Sequence, residues 1–358
     1  MALLFCDSFD HYATADITTK WNNARINIPG PTGTSTVTIG AFGRNGTNGA
    51  RFTWGVPSQY PYIARGVSAS GATAIIGAAF NPNSLSPTSS ANPLYAIFDS
   101  ATVQCSLRVN ADGSVSVLRG GYTGTVLGTS SAGVISIGAY SYVELKVVLS
   151  TTTGSYEVRV NNTLVLSGSG ANTAGASTTA WTEARIGAIV GTRHLQTGTW
   201  DFDDVYIADG SGSTNNDFLG PIRVIALLPD GDGASSDFTP SEGEDNYAMV
   251  NEASADGDTT YVSATNAGDH DTYTFEDLAV NGTVKAVQTN LIVRSDAAGA
   301  ETIAPVIRVG STDYDGTTVG VTTTYADSRE IFETSPATGV AWTPAEINGA
   351  EFGIKLVG

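Results

Sequence analysis

SYVELKVVLSTTTGSYEVRVNNTLVLSG, residues 141–168, decides the reading of this chain. Val143, Leu145 and Val147 alternate with Glu144 and Lys146, and Tyr156, Val158 and Val160 alternate with Glu157 and Arg159. A period of two is the mark of a half-buried strand, and Thr153-Gly154 and Asn161-Asn162 supply turn residues between the apolar runs. The stretch therefore predicts antiparallel hairpins. The same grammar runs outward in both directions. SLRVNADGSVSVLRG (106–120) is a second hairpin, with Asn110, Asp112 and Gly113 in the turn. TYTFEDL, VKAVQTNLIVRS, IAPVIRVG and TVGVTTTYA repeat it in the last third of the chain. Only WTPAEING (342–349) reads as a helical turn, with Thr343 as cap and Pro344 at the first helical position. No long amphipathic helix and no repeat of fixed period occurs, which excludes alternating α/β folds, propellers and solenoids. The fold class is all-β, with two β-sandwich (jelly-roll) domains.

The chain's 358 residues suit two domains. DGSGSTNND (209–217) lacks an apolar period and has the composition of a connection, placing the boundary near Gly220. Residues 1–220 hold 13 acids and 11 bases, and residues 221–358 hold 22 and 6, so almost all of the net charge of -18 belongs to the second part. The expected organisation is a larger sandwich over 1–220 and a smaller acidic one over 221–358. A charge of this sign argues against nucleic acid or anionic lipid as partner. No window approaches the 18 apolar residues of a membrane span, and MALLFCDSFDHY has neither the basic start nor the apolar length of a signal peptide. Cys6 and Cys105 are too few for a disulfide framework and read as buried thiols.

LFCDSFDHY (4–12) with Trp21 behind it, YVELKVVLSTTTGSYEVRVNNTLVL, and WDFDDVYIADGSG (200–212) together resemble the concanavalin A-like (laminin-G-like) jelly rolls of tailed-phage virion proteins. The likeness covers about 1–220, and the remainder looks like the module that follows such domains. The resemblance implies that first and last strands are neighbours in one sheet, bringing DSFD to DFDDVYI, with Val205 and Ile207 inward. It further implies a non-enzymatic structural protein of a virion surface (tail fibre, tail tip, collar or head), made in the host cytoplasm without a signal peptide. Its partners would be itself, as a homo-oligomer with a trimer favoured, other virion proteins, and a host surface glycan. The competing readings are a bacterial extracellular lectin-like module and, more distantly, a glycoside hydrolase.

A retaining glycosidase on this fold needs two carboxylates on one strand face, as in Glu-x-Asp-x-Glu, and that pattern does not occur. His11, His194 and His270 are scattered and there is no Gly-x-Ser-x-Gly elbow, so no catalytic residues are assigned. Sugars stack on exposed rings, and QYPYIARG (59–66) offers Tyr60 and Tyr62 around a proline, in a loop or edge strand, as a glycan or subunit contact. The same residues read equally well as a ring closing the core. No cofactor is expected. Structural Ca²⁺ is the one ion considered, at Asp201 and Asp203 (with Asp204, and with Asp7 or Asp10 if the terminal strands pair) and at Asp230 and Asp232 in PDGDGASSD. The plainer reading of these aspartates is solvent exposure or hydrogen bonding to turn amides. Trp54, Trp181, Trp200 and Trp342 read as core or interface anchors.

Overall fold

The computed structural model describes the whole chain except residues 1, 31–32, 56–58, 86–92, 189–197 and 244. The chain is nearly all antiparallel β, as its alternation requires, and it divides into two compact units, Met1–Val224 and Ile225–Gly358.

In the first unit two sheets face each other. The larger has the order Thr163–Ala171, Gly154–Val160, Ser141–Val148, Thr73–Pro82, Gly198–Ala208, Gly49–Trp54, Gly33–Gly40, Asn27–Gly30, with Leu3–Asp7 also paired to Gly198–Ala208. The smaller has the order Thr125–Thr129, Val115–Arg119, Thr102–Val109, Pro93–Asp99, Glu183–Gly187, Tyr62–Gly66, Asn23–Arg25. The 141–168 stretch forms three consecutive strands, and the turn at Asn161 and Asn162 is left-handed at both residues (φ 50° and 65°), a conformation asparagine tolerates better than most side chains. The first and last strands are neighbours as expected: Phe5 lies opposite Ile207 and Asp7 opposite Val205.

Between the sheets the inward residues form one core. It includes Phe5, Trp21, Phe52, Trp54, Phe80, Tyr95, Trp181, Trp200 and Phe202. Edge-on ring pairs such as Trp54–Trp200 (4.7 Å between centroids) and Phe52–Phe202 (4.9 Å) tie neighbouring strands, each contributing about 0.5–1.5 kcal/mol beyond the area buried. Cys105 is buried in this core, where burial pushes its thiol up to about 12, whereas Cys6, expected to be buried as well, is half-buried.

The second unit has a sheet in the order Pro229–Ser236, His270–Phe275, Ala350–Leu356, Thr302–Val309, Thr312–Asp315, with Val319–Gly320 also on Thr302–Val309. Two two-stranded sheets, Thr239–Pro240 with Val262–Ser263 and Val287–Val293 with Ala326–Phe332, accompany it. Its core is smaller, around Ile307, Trp342, Ile347, Ala350 and Phe352. The helical turn lies at Pro344–Asn348, and the Thr343 hydroxyl accepts from the Glu346 amide as a cap.

Candidate functional site

The two sheets of the first unit each turn one face away from the core, and the polar residues of the unit concentrate there. On the seven-stranded sheet, Asn23, Ala64, Arg185, Ala96, Ser106 and Leu118 are successive cross-strand neighbours. Alternation fixes their direction, because Ile63, Ile186, Ile97 and Leu107 beside them all belong to the core. The row has a floor of small side chains, and from it Arg185 rises between two rings. Its guanidinium carbon is 3.9 Å from the centroid of Tyr62 and 4.1 Å from that of Phe98. Such cation–π pairing strengthens as water is removed, and Arg185 is only 5% exposed.

Polar side chains fix the stack in place. Arg185 Nε and Nη2 donate to Glu183 Oε1 at 3.2 and 2.7 Å, while Glu183 Oε2 accepts from Asn23 Nδ2 at 2.8 Å. The Tyr62 hydroxyl donates to Asn23 Oδ1 at 3.2 Å. Further along the sheet Arg108 donates to Asn110 Oδ1 and to the Tyr122 carbonyl, and burial lowers the pKa of its guanidinium. Ser116 Oγ accepts from Asn110 Nδ2 at 2.8 Å. Arg25 lies over the Tyr60 ring at 5.7 Å, on the edge strand beside Tyr62.

The sequence placed Tyr60 and Tyr62 in a loop or edge strand, and Tyr60 does lie in the loop before the strand. Tyr62 begins a strand one in from the edge, because Asn23–Arg25 pairs outside it, and Pro61 precedes the ladder instead of interrupting it. Arg185, Glu183 and Phe98 were missed. Their only sequence signal was the alternation of charged and apolar residues in EARIG, which does not reveal the aromatic partners.

The outward face of the nine-stranded sheet carries the acidic knot, and here the aspartates have partners from the chain. Asp201 accepts from Arg51 Nε at 2.7 Å and Nη2 at 2.9 Å, and from Asn83 Nδ2. A bulge after Asp203, with Asp204 at φ 50°, turns both residues outward before Val205 returns to the core. Asp203 then accepts the Arg44 and Asp204 amides, and Asp204 pairs with Arg44 Nε and accepts the Val224 amide at 2.7 Å. Burial and the adjacent Asp204 push the Asp203 carboxyl up to about 8. Asp10 accepts from the Asn48 amide, and Asp7 faces the core, taking the Tyr12 hydroxyl and the Trp21 indole. Asp230 and Asp232 lie on a strand in place of the calcium-type loop their spacing suggested: one accepts the Thr274 hydroxyl, the other the Tyr247 amide. Among the described residues no group of three His, Cys, Asp or Glu side chains is arranged to hold a metal ion. His194 lies outside the described residues.

Across the same face runs the irregular segment 217–224. Asp217 pairs with Lys146 at 3.0 Å, and Phe218 lies over the Arg159 guanidinium at 4.4 Å. The Leu219 amide donates to the Tyr206 hydroxyl, the Gly220 amide to Glu144 Oε1 at 2.9 Å, and Arg44 donates to the Ile222 carbonyl. Glu144 is fully buried beneath this strap, accepts the Tyr206 hydroxyl at 2.6 Å, and has its carboxyl pKa raised by that burial. The strap explains why the first unit ends at Val224, beyond the boundary near Gly220 that composition suggested.

No protein-family model matches the chain, and no curated protein matches it. Solved structures do. An endo-β-1,4-glucuronan lyase from Trichoderma reesei is 12% identical over 57% of this chain and 94% of that one, with a TM-score of 0.41. The cellulose-induced protein Cip1 is 15% identical over 57% and 97%, also at 0.41. The alginate lyase vAL-1 from Chlorella virus is 10% identical over 55% and 96%, at 0.40. The expectation of a non-enzymatic protein is corrected by this finding, since the solved structures that the chain is similar to include polysaccharide lyases. The physical reason lies in the test used: absence of a paired-carboxylate strand bears on one glycosidase chemistry, whereas proton abstraction can also use Tyr, Lys or His.

Proposed function

We propose that the first unit is a carbohydrate-interacting jelly roll, glycan-binding or glycan-active, whose ligand lies on the outward face of the seven-stranded sheet against Tyr62 and Arg185. The observation that carries this reading is the Tyr62–Arg185–Phe98 stack standing on the Ala64, Ala96 and Ser106 floor. The stack is closed in this state, with Tyr62 7% and Phe98 5% exposed and Ala64 and Ala96 covered; opened, it offers what a pyranose requires, apolar surface for its CH groups and convergent polar groups for its hydroxyls. Asn23 and Arg108 extend the donor set along the sheet. The test is titration of the full chain with an oligosaccharide panel, followed by the Tyr62→Ala variant and by assay of any bound sugar for cleavage products. Binding that drops about tenfold or more in Tyr62→Ala supports the reading. Binding unchanged in that variant, or absent across the panel, refutes it.

A further inference from the structure

The face chosen above has a charge of its own, opposite to that of the chain. Among the described strand residues that point outward from the seven-stranded sheet, the charged ones are Arg25, Arg108, Arg185 and Glu183: three guanidinium groups to one carboxylate, in a protein of net charge -18. Arg25 and Arg108 have the loop carbonyls and rings described above. Arg185 is different. Glu183 engages its Nε and Nη2 through a single oxygen, and its Nη1 is buried with no hydrogen-bond partner among the described residues.

A buried charged donor without an acceptor is costly, and native proteins almost always supply one. Here none of the nearest outward neighbours can: Ala64 and Ala96 flank Arg185 on the adjoining strands, and the two rings above and below offer only their faces. The rings also stop the guanidinium from rotating to a second acceptor, so its remaining donors are held in one orientation. A planar, preoriented fork of this kind matches the oxygens of a carboxylate or sulfate better than a single hydroxyl.

We propose that this face takes an anionic sugar, and that Arg185 Nη1 receives its carboxylate or sulfate oxygen. The proposal rests on the carbohydrate reading and names the ligand class of the same face. Because Nη1 is closed off, a side chain above it must move to admit the ligand. The Tyr62 ring, tethered through its hydroxyl to Asn23 at 3.2 Å, is the one whose swing opens the stack. Side-chain rearrangement on this scale is common when ligands bind.

The experiment compares three tetrasaccharides of identical linkage by calorimetric titration of the full chain: a glucuronate, a neutral glucose and a sulfated glucose. An acidic sugar binding about tenfold or more tighter than the neutral one, with an advantage that shrinks as salt rises, is the expected result. Preference for the glucuronate assigns a carboxylate ligand, and preference for the sulfated sugar assigns a sulfate. Arg185→Gln removes the preference, so that acidic and neutral sugars bind the variant equally, while Arg185→Lys, which keeps the charge but loses the fork, retains only part of it. If Arg185→Gln does not fold, the salt dependence of the unmodified chain and the Arg185→Lys variant decide. Equal affinity for acidic and neutral sugars, insensitive to salt, overturns the anion proposal while leaving the carbohydrate reading standing, and leaves Nη1 to a buried water. No binding of any sugar overturns both.

Discussion

Replacing Asp7 by alanine tests whether the first strand is fastened by its carboxylate. Asp7 is 2% exposed and accepts three hydrogen bonds: the Tyr12 hydroxyl at 2.5 Å, the Trp21 indole at 2.7 Å and the Phe9 amide at 3.0 Å. Phe9 and Trp21 are fully buried, so water does not replace the lost acceptor. The Trp21 indole also reaches the Tyr12 oxygen at 3.1 Å and keeps that partner. The Phe9 amide is then orphaned, at about 1–3 kcal/mol, and the Tyr12 hydroxyl loses a bond to a charged acceptor, at about 1.5–3 kcal/mol. The expected destabilisation is ~4 kcal/mol, which for a unit of this size lowers the melting temperature by roughly 8–16 °C. Urea unfolding followed by tryptophan fluorescence measures it, since Trp21 is one of the groups released. Asp7→Asn keeps one acceptor oxygen and is expected to lose about half as much. A loss below about 1 kcal/mol in Asp7→Ala would refute the reasoning, because it would mean that the three donors find other partners.

The strap and the bulge give two more expectations. A Cβ added at Gly77 falls 2.1 Å from Tyr206 Cε1, so Gly77→Ala must push the buried Tyr206 ring off Glu144. The expected cost is about 1–3 kcal/mol by chemical denaturation, and an unchanged midpoint would show that the ring is not locked there. For Asp203 the folded carboxyl is raised to about 8 from 3.8, and Asp10, Asp204 and Glu144 are raised as well, chiefly by burial. The folded state therefore holds protons that the unfolded state releases: the stabilisation is full below the unfolded value and is lost as pH rises through about 8. The melting temperature of the first unit should fall between about pH 4 and 8, and Asp203→Asn should flatten that slope; a melting temperature that rises over this interval contradicts the assignment.

Local features of the fold were legible in the sequence because they are set by neighbours in the chain. The alternation in 141–168, the Asn110–Gly113 turn and the Thr343 cap each need only a few residues to be recognised, and each is found where the sequence puts it. The pairing of Phe5 with Ile207 came from a resemblance in the order of motifs, since nothing in either strand names the other. The site was harder for the same reason. Tyr62 could be singled out by its ring, but the Arg185 that stacks on it and the Phe98 beyond come from separate strands, and only the register of two ladders aligns them. For the aspartates at 201–204 the sequence suggested bonds to turn amides, which Asp203 and Asp204 make, but not the ion pairs, because Arg51 and Arg44, which neutralise two of them, lie on the partner strand and on a loop. Composition likewise marked 209–217 as a connection and gave no sign that the eight residues from Asp217 are spread over a sheet face.

That strap changes what counts as a transferable piece of this protein. A jelly roll exchanged between chains at Gly220, where the sequence looks cuttable, would leave behind the Ile222 carbonyl and Val224 amide that occupy Arg44 and Asp204. It would also turn the Gly220 amide over Glu144 into part of a frayed end. Recombination that preserves the fold must break the chain after Val224, so the heritable module is the sandwich together with its own bandage, and the first freely variable joint comes later than the low-complexity run advertises.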